Sequence, residues 1–103
     1  MAANVLVLFN TPTDTAAFDA HYTETHLPLA RQIPGIRSMT LSAGPIGTPQ
    51  GPAPYYMIAQ FGFESMAALQ VTLTSPEFGA AGADLENFAG AGVTVLIYET
   101  RDA

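Results

Sequence analysis

Apolar residues recur along this chain with two different periods. Asn4-Val5-Leu6-Val7-Leu8-Phe9-Asn10 is a short, nearly continuous apolar run of strand formers. It predicts a first strand with Val5, Val7 and Phe9 on one face and Leu6 and Leu8 on the other. Past Thr11-Pro12-Thr13-Asp14 the period changes. At 100° per residue, Phe18, Tyr22, Thr25, His26, Leu29 and Ile33 fall within an arc roughly 100° wide, the width of a core-facing helical stripe. Thr13 or Asp14 is the expected N-cap, and Pro34-Gly35 stops the helix after about Gln32. Ile36 to Ala43 then alternates, with Arg37, Met39 and Leu41 on one face and Ser38, Thr40 and Ser42 on the other, as in a half-buried second strand.

The prolines and glycines between Gly44 and Pro54 predict a long irregular loop, a candidate gate over a binding site. Tyr55 to Phe63 is a third strand, apolar or aromatic on both sides. Ser65 caps a second helix over Met66 to about Thr74, and Ser75-Pro76 restarts a short one. Gly79, Gly82 and the alanines around them make Phe78 to Phe88 a weak helix at best. Val93 to Glu99 is the fourth strand. The order β-α-β-β-α-β predicts an α+β, ferredoxin-like domain over residues 1–103: a four-stranded antiparallel sheet with both helices on one face. Three of the strands are apolar on both faces, whereas helices cover only one. The bare face would exceed the roughly several hundred Å² that soluble monomers expose, so a homodimer packed sheet to sheet is expected.

Composition narrows the function. The 103 residues contain no cysteine, which removes disulfides, thiolate metal sites and a cysteine nucleophile. Net charge is −6, with Arg31, Arg37 and Arg101 the only fixed cations, so nucleic acid and anionic membrane surfaces are poor partners. With no basic leader and no apolar run near the ~20 residues of a membrane span, a cytoplasmic location is expected.

The candidate chemistry sits in the first helix. His26 points with the apolar stripe, where an imidazole suits acid–base work. Tyr22, one turn earlier, is placed to donate to a substrate oxygen. Pro28 cannot donate to the Glu24 carbonyl and crowds it, at a cost of ~3 kcal/mol, which predicts a kink beside His26. His21 lies at the stripe's edge and reads as a surface residue. Five residues from His26, it stands about 140° away on an α-helix, so the two do not converge on a metal, and no metal site is expected. Phe18 and Leu29 on the stripe, Arg37 and Met39 on the second strand, Tyr56, Met57 and Phe61 on the third, and Phe88 before the fourth are the expected lining of a binding cavity. Arg37 reads first as one half of a subunit-interface or surface ion pair, and second as a group that holds a carboxylate or enolate at the cavity mouth.

The pattern Phe18-x-x-x-Tyr22-x-x-x-His26-x-Pro28-Leu29, followed by Pro34-Gly35 and by Phe88 ahead of the last strand, resembles the EthD family of the dimeric α+β barrel superfamily, over nearly the whole chain. The resemblance implies a ferredoxin-like subunit, a homodimer whose two sheets form a barrel, and a ligand cavity between sheet and helices in each subunit. EthD itself is associated with a bacterial ether-degradation system in which a cytochrome P450 carries out the oxidation. Similar branches are polyketide dehydratases and cyclases, lactone isomerases, haem enzymes and quinone-forming monooxygenases; the absence of tryptophan here departs from the last. The expectation is a protein that binds an apolar or aromatic metabolite and, without a cofactor, moves a proton by isomerase, cyclase or dehydratase chemistry, with His26 and Tyr22 as the reacting groups. The alternatives are an oxidoreductase or P450-accessory protein and a non-catalytic small-molecule carrier.

Overall fold

The computed structural model describes residues 1–103. Strand β1 (Ala3–Asn10) leads to helix α1 (Thr15–His21), a π-helical turn (Tyr22–His26) and helix α2 (Leu27–Arg31). Then come β2 (Ser38–Leu41), the short β3 (Gly47–Thr48) and β4 (Gly51–Pro52), and β5 (Tyr55–Phe63). Helices α3 (Met66–Leu73) and α4 (Pro76–Phe88) precede β6 (Val93–Glu99). The main sheet has the order β2-β5-β1-β6 with every neighbouring pair antiparallel, which is the ferredoxin-like α+β fold.

Register explains which face is covered. Val5 pairs with Phe61 and Val7 with Ala59, so alternate residues of β1 and β5 form one buried layer. Phe18, Tyr22 and Ala30 close over it from the first helical segment, Ile33 from just past its end, and Leu69 and Ala81 from α3 and α4. Side-chain caps fix the helix starts: Asp14 accepts from the Ala17 N–H, Ser65 from Ala68 and Ser75 from Phe78. The Ser75 cap and Pro76 at the first turn carry α4 through its glycines as one helix of 13 residues, longer than its composition promises.

The first helix departs from expectation at Pro28. There is no break; the chain passes through a π turn in which the Leu27 N–H reaches the Tyr22 carbonyl five residues back. The wider turn accommodates a ring that an unbroken α register would press against Glu24. It also inserts a residue into the turn, so everything beyond it is rotated. Ala30, off the stripe by α spacing, is buried, while Thr25 faces solvent and Leu29 sits half-buried at the rim. The proline-rich loop is also more ordered than predicted. It holds the β3–β4 ladder, clasped by the Thr48 hydroxyl, which donates to the Gly51 carbonyl and accepts from the Gln50 N–H.

The second sheet face is left open. Leu6, Leu8 and Ile58 are only half-buried there, and Leu96 and Tyr98 of β6 are 46% and 36% exposed. No helix of the structure is long and apolar enough to cross a membrane. Phe9, buried between sheet and helices, touches the rings of Phe18, Tyr22 and Phe88. Phe9→Ala is expected to cost about 3–5 kcal/mol in urea unfolding, lowering the midpoint while leaving the slope unchanged.

Candidate functional site

The π turn decides what the two histidines can do. On an α-helix residues four apart lie one above the other; in a turn closed five residues back, residues five apart do so instead. His21 and His26 therefore share a side, contrary to the α-helical expectation, and both meet Asp84 of α4. The Nε2–H of His21 donates to Asp84 Oδ1 and Oδ2 at 2.9 and 3.0 Å, and the Nδ1–H of His26 donates to Oδ2 at 2.9 Å. The Asn87 amide adds a bond to Oδ1 at 3.0 Å. These groups bond to one another, and no set of three or more His, Cys, Asp or Glu side chains is placed to hold a metal ion.

Burial pushes the Asp84 carboxyl up, but the donors from Asn87, His21 and His26 outweigh it and hold the group below its ordinary value. An ionised carboxylate only accepts, which fixes the His26 proton on Nδ1. Burial lowers the His26 pKa, and the opposing bond and charge of Asp84 do not restore it. The ring is thus neutral near pH 7, with Nε2 bare. Burial also pushes the Tyr22 phenol up to about 12, and its hydroxyl, fully enclosed, has no hydrogen-bond partner. Phe88 braces the cluster, stacking on His21 with centroids 4.8 Å apart and tilting against His26 at 4.9 Å.

Tyr22 and His26 border an apolar cavity of ≈ 60 Å³ between sheet and helices, walled by Val5, Val7, Ile33, Phe61, Leu85 and Val95 among others. Val95 is itself 45% exposed, so the cavity reaches the surface at β6. Of the ten residues expected at a site, three line this cavity: Tyr22, His26 and Phe61. Phe18 and Phe88 stand behind Tyr22 as its aromatic support. Leu29 borders a shallow groove with Pro76 and Glu77, displaced there by the π rotation. Met39 pairs with Phe61 in register but stays out of the cavity, and Arg37 is exposed, 3.8 Å from Glu64.

Tyr56 and Met57 border a separate outer hollow under the Gly44–Pro54 loop, so that loop does not overhang the cavity. The β1–β5 register slips at Phe9/Asn10, and Tyr56 packs edge-on against Phe18 with its hydroxyl donating to Asp19 at 2.9 Å. Sequence reasoning missed Asp84, the bond that Asn87 donates to it and the inward turn of His21. A signal for Asp84 did exist: it lies among Phe78, Ala81, Leu85 and Phe88, an acid on the apolar stripe of its helix.

The EthD domain model matches residues 10–92. The chain is 43% identical over 93 residues to an uncharacterized 11.0 kDa protein in the thcB–thcC intergenic region of Rhodococcus erythropolis, covering 89% of this chain and 88% of that one. It is 35% identical to an ethyl tert-butyl ether d (EthD) family protein from Bacillus halodurans C-125, whose crystal structure superposes with a TM-score of 0.88 over 98% of this chain and 100% of that one. A dimeric ferredoxin-like protein of unknown function from Jannaschia sp. CCS1 shares the fold at 22% identity, with a TM-score of 0.68 over 97% and 100% of the two chains.

The buried imidazole makes stability depend on pH. Below the ordinary histidine value of 6.5 the unfolded chain binds more protons than the folded one, because burial lowers His26 in the fold. Stability is therefore full above 6.5, falls as pH drops through it, and levels off once folded His26 titrates. Urea unfolding across that range is expected to show this slope, and His26→Gln is expected to flatten it.

Proposed function

The chain belongs to the EthD family, and we propose that it binds a small carbonyl compound with an apolar body and moves a proton at the carbon beside the carbonyl. The observation that carries this reading is the Tyr22 hydroxyl. An enclosed donor without a partner costs about 1–3 kcal/mol, a cost reasonable where a ligand supplies the acceptor. A carbonyl oxygen accepting from Tyr22 sets the adjacent carbon toward the bare Nε2 of His26, which takes its proton. Asp84, bonded to the opposite ring nitrogen, keeps that tautomer and stabilises the imidazolium that forms. As negative charge develops on the oxygen, the Tyr22 bond strengthens in an apolar, water-poor site.

Return of the proton to another carbon is isomerisation. Loss of a hydroxyl from the next carbon, leaving as water with the proton that His26 holds, is dehydration. Attack of the enolate on a second carbonyl of the same molecule, whose oxygen takes that proton, is cyclisation. At ≈ 60 Å³ the cavity is smaller than the ~150 Å³ engineered cavity that admits benzene, so a compact substrate, or one extending past Val95, fits better than a fused aromatic system.

The same reading includes a second copy of the chain. Leu6, Leu8, Ile58, Leu96 and Tyr98 make the open sheet face apolar, with Gln60 and Thr40 among them. Covering this face sheet to sheet turns two subunits into a barrel and leaves both helix layers outside. Light scattering is expected to give twice the 10.8 kDa chain mass. Leu96→Glu is expected to yield a folded monomer, and a wild-type particle of single-chain mass removes the dimer.

Deuterium uptake from D2O into the α position of small aliphatic ketones, followed by NMR, tests the chemistry. Wild-type protein is expected to accelerate uptake, and His26→Gln to lose on the order of 10²-fold or more of that acceleration. Tyr22→Phe is expected to slow exchange while the fold keeps or gains stability, since a phenyl ring needs no partner. Full acceleration by His26→Gln sinks the assignment.

A further inference from the structure

A carboxylate that only had to orient His26 needs one imidazole, yet Asp84 holds two. The chain's two histidines hang on this one group and share its Oδ2. The His26 side chain is 8% exposed and borders the apolar cavity, while that of His21 is 26% exposed and borders an outer hollow of ≈ 520 Å³. Asp84 is thus the link between a ring mostly withheld from solvent and a ring more open to it.

We propose that His21 is a positioning residue for His26: by sharing Asp84 and exchanging its own proton with solvent, it sets how strongly that carboxylate supports a proton on the buried ring. The inference rests on the reading of His26 as the base. With His21 neutral, the full charge of Asp84 is available to the imidazolium that forms at His26. With His21 protonated, that charge is already matched and the two cations repel, so His26 becomes a weaker base and a substrate proton stays where it is. The other polar groups around the pair are few. Asn87 on α4 donates to Asp84, Tyr22 on the π turn lies beside His26, and Asp14 at the start of α1 borders the outer hollow. From the sheet, Phe9 packs against Tyr22 and Phe88, the rings that flank the pair, and carries no charge.

Because there are only two histidines, long-range 1H–15N NMR of protein labelled in its imidazole rings resolves all four ring nitrogens during a pH titration. In the wild type, His26 is expected to rest with its proton on Nδ1, and its resonances are expected to move in two steps, one coinciding with titration of His21. His21→Gln keeps an N–H toward Asp84 without the ionisable ring; it is expected to remove the first step and raise the His26 midpoint. Asp84→Asn is expected to lower that midpoint. A purely structural role for His21 would alter the unfolding midpoint and leave the His26 titration in place. A one-step His26 curve in the wild type, or an unchanged His26 midpoint in His21→Gln, overturns the inference. Neither measurement involves a substrate, so coupled titration without any ketone exchange would reject the proposed reaction and leave the role of His21 in tuning the His26 ring standing.

Discussion

A carboxylate taken out of water must be met by donors, and at Asp84 three side chains meet it, from two different helices. That requirement organises much of the molecule. Asn87 lies one turn on in the same helix, but His21 and His26 come from the first helical segment and reach Asp84 together only because the turn between them is wide. The bonds fasten α4, a helix weakened by Gly79 and Gly82, to the layer above the sheet. They also commit one nitrogen of His26 and leave the other bare, so one set of contacts supports both packing and the proposed chemistry.

The apolar periods were enough to read the four long strands and their succession with the helices, because alternation along Val5, Val7 and Phe9 and along Ala59, Phe61 and Phe63 is a direct image of the pleat; with both faces of these strands apolar, they did not say which face the helices cover. His26 and Tyr22 were legible for the same reason, lying on the stripe under any helical period. What could not be read was the geometry of the turn between them. An α period places His21 away from His26 and Ala30 off the core; one hydrogen bond reaching back five residues reverses both. Pro28 announced an irregularity without saying which kind. Asp84 escaped because an acid in an alanine- and glycine-rich segment looks solvated until its neighbours on the stripe are considered. Arg37 fell on a face whose edge strand turned out to be short and exposed.

Two features stand against plain stability, and both concern missing partners. The Tyr22 hydroxyl is enclosed without an acceptor, and the sheet shows an apolar surface on the side away from the helices. A chain of this size with a modest core tolerates few such costs. Each has the chemistry of something outside the single chain: a small acceptor for the phenol, and an extended apolar surface for the strands.

The wide turn also changes how related chains ought to be compared. Its extra residue is the smallest edit a helix can carry, yet it transposes the meaning of every position after it. Lined up without a gap against a regularly wound homologue, Ala30 would be scored as surface and Leu29 as core, and the two histidines would look unrelated. Winding the same residues at the usual α pitch would pull the pair apart, with scarcely a change in overall shape. Removing one residue between them as well would set the histidines four apart and one above the other again. The spacing of the histidines, more than their presence, is therefore the heritable mark of this arrangement.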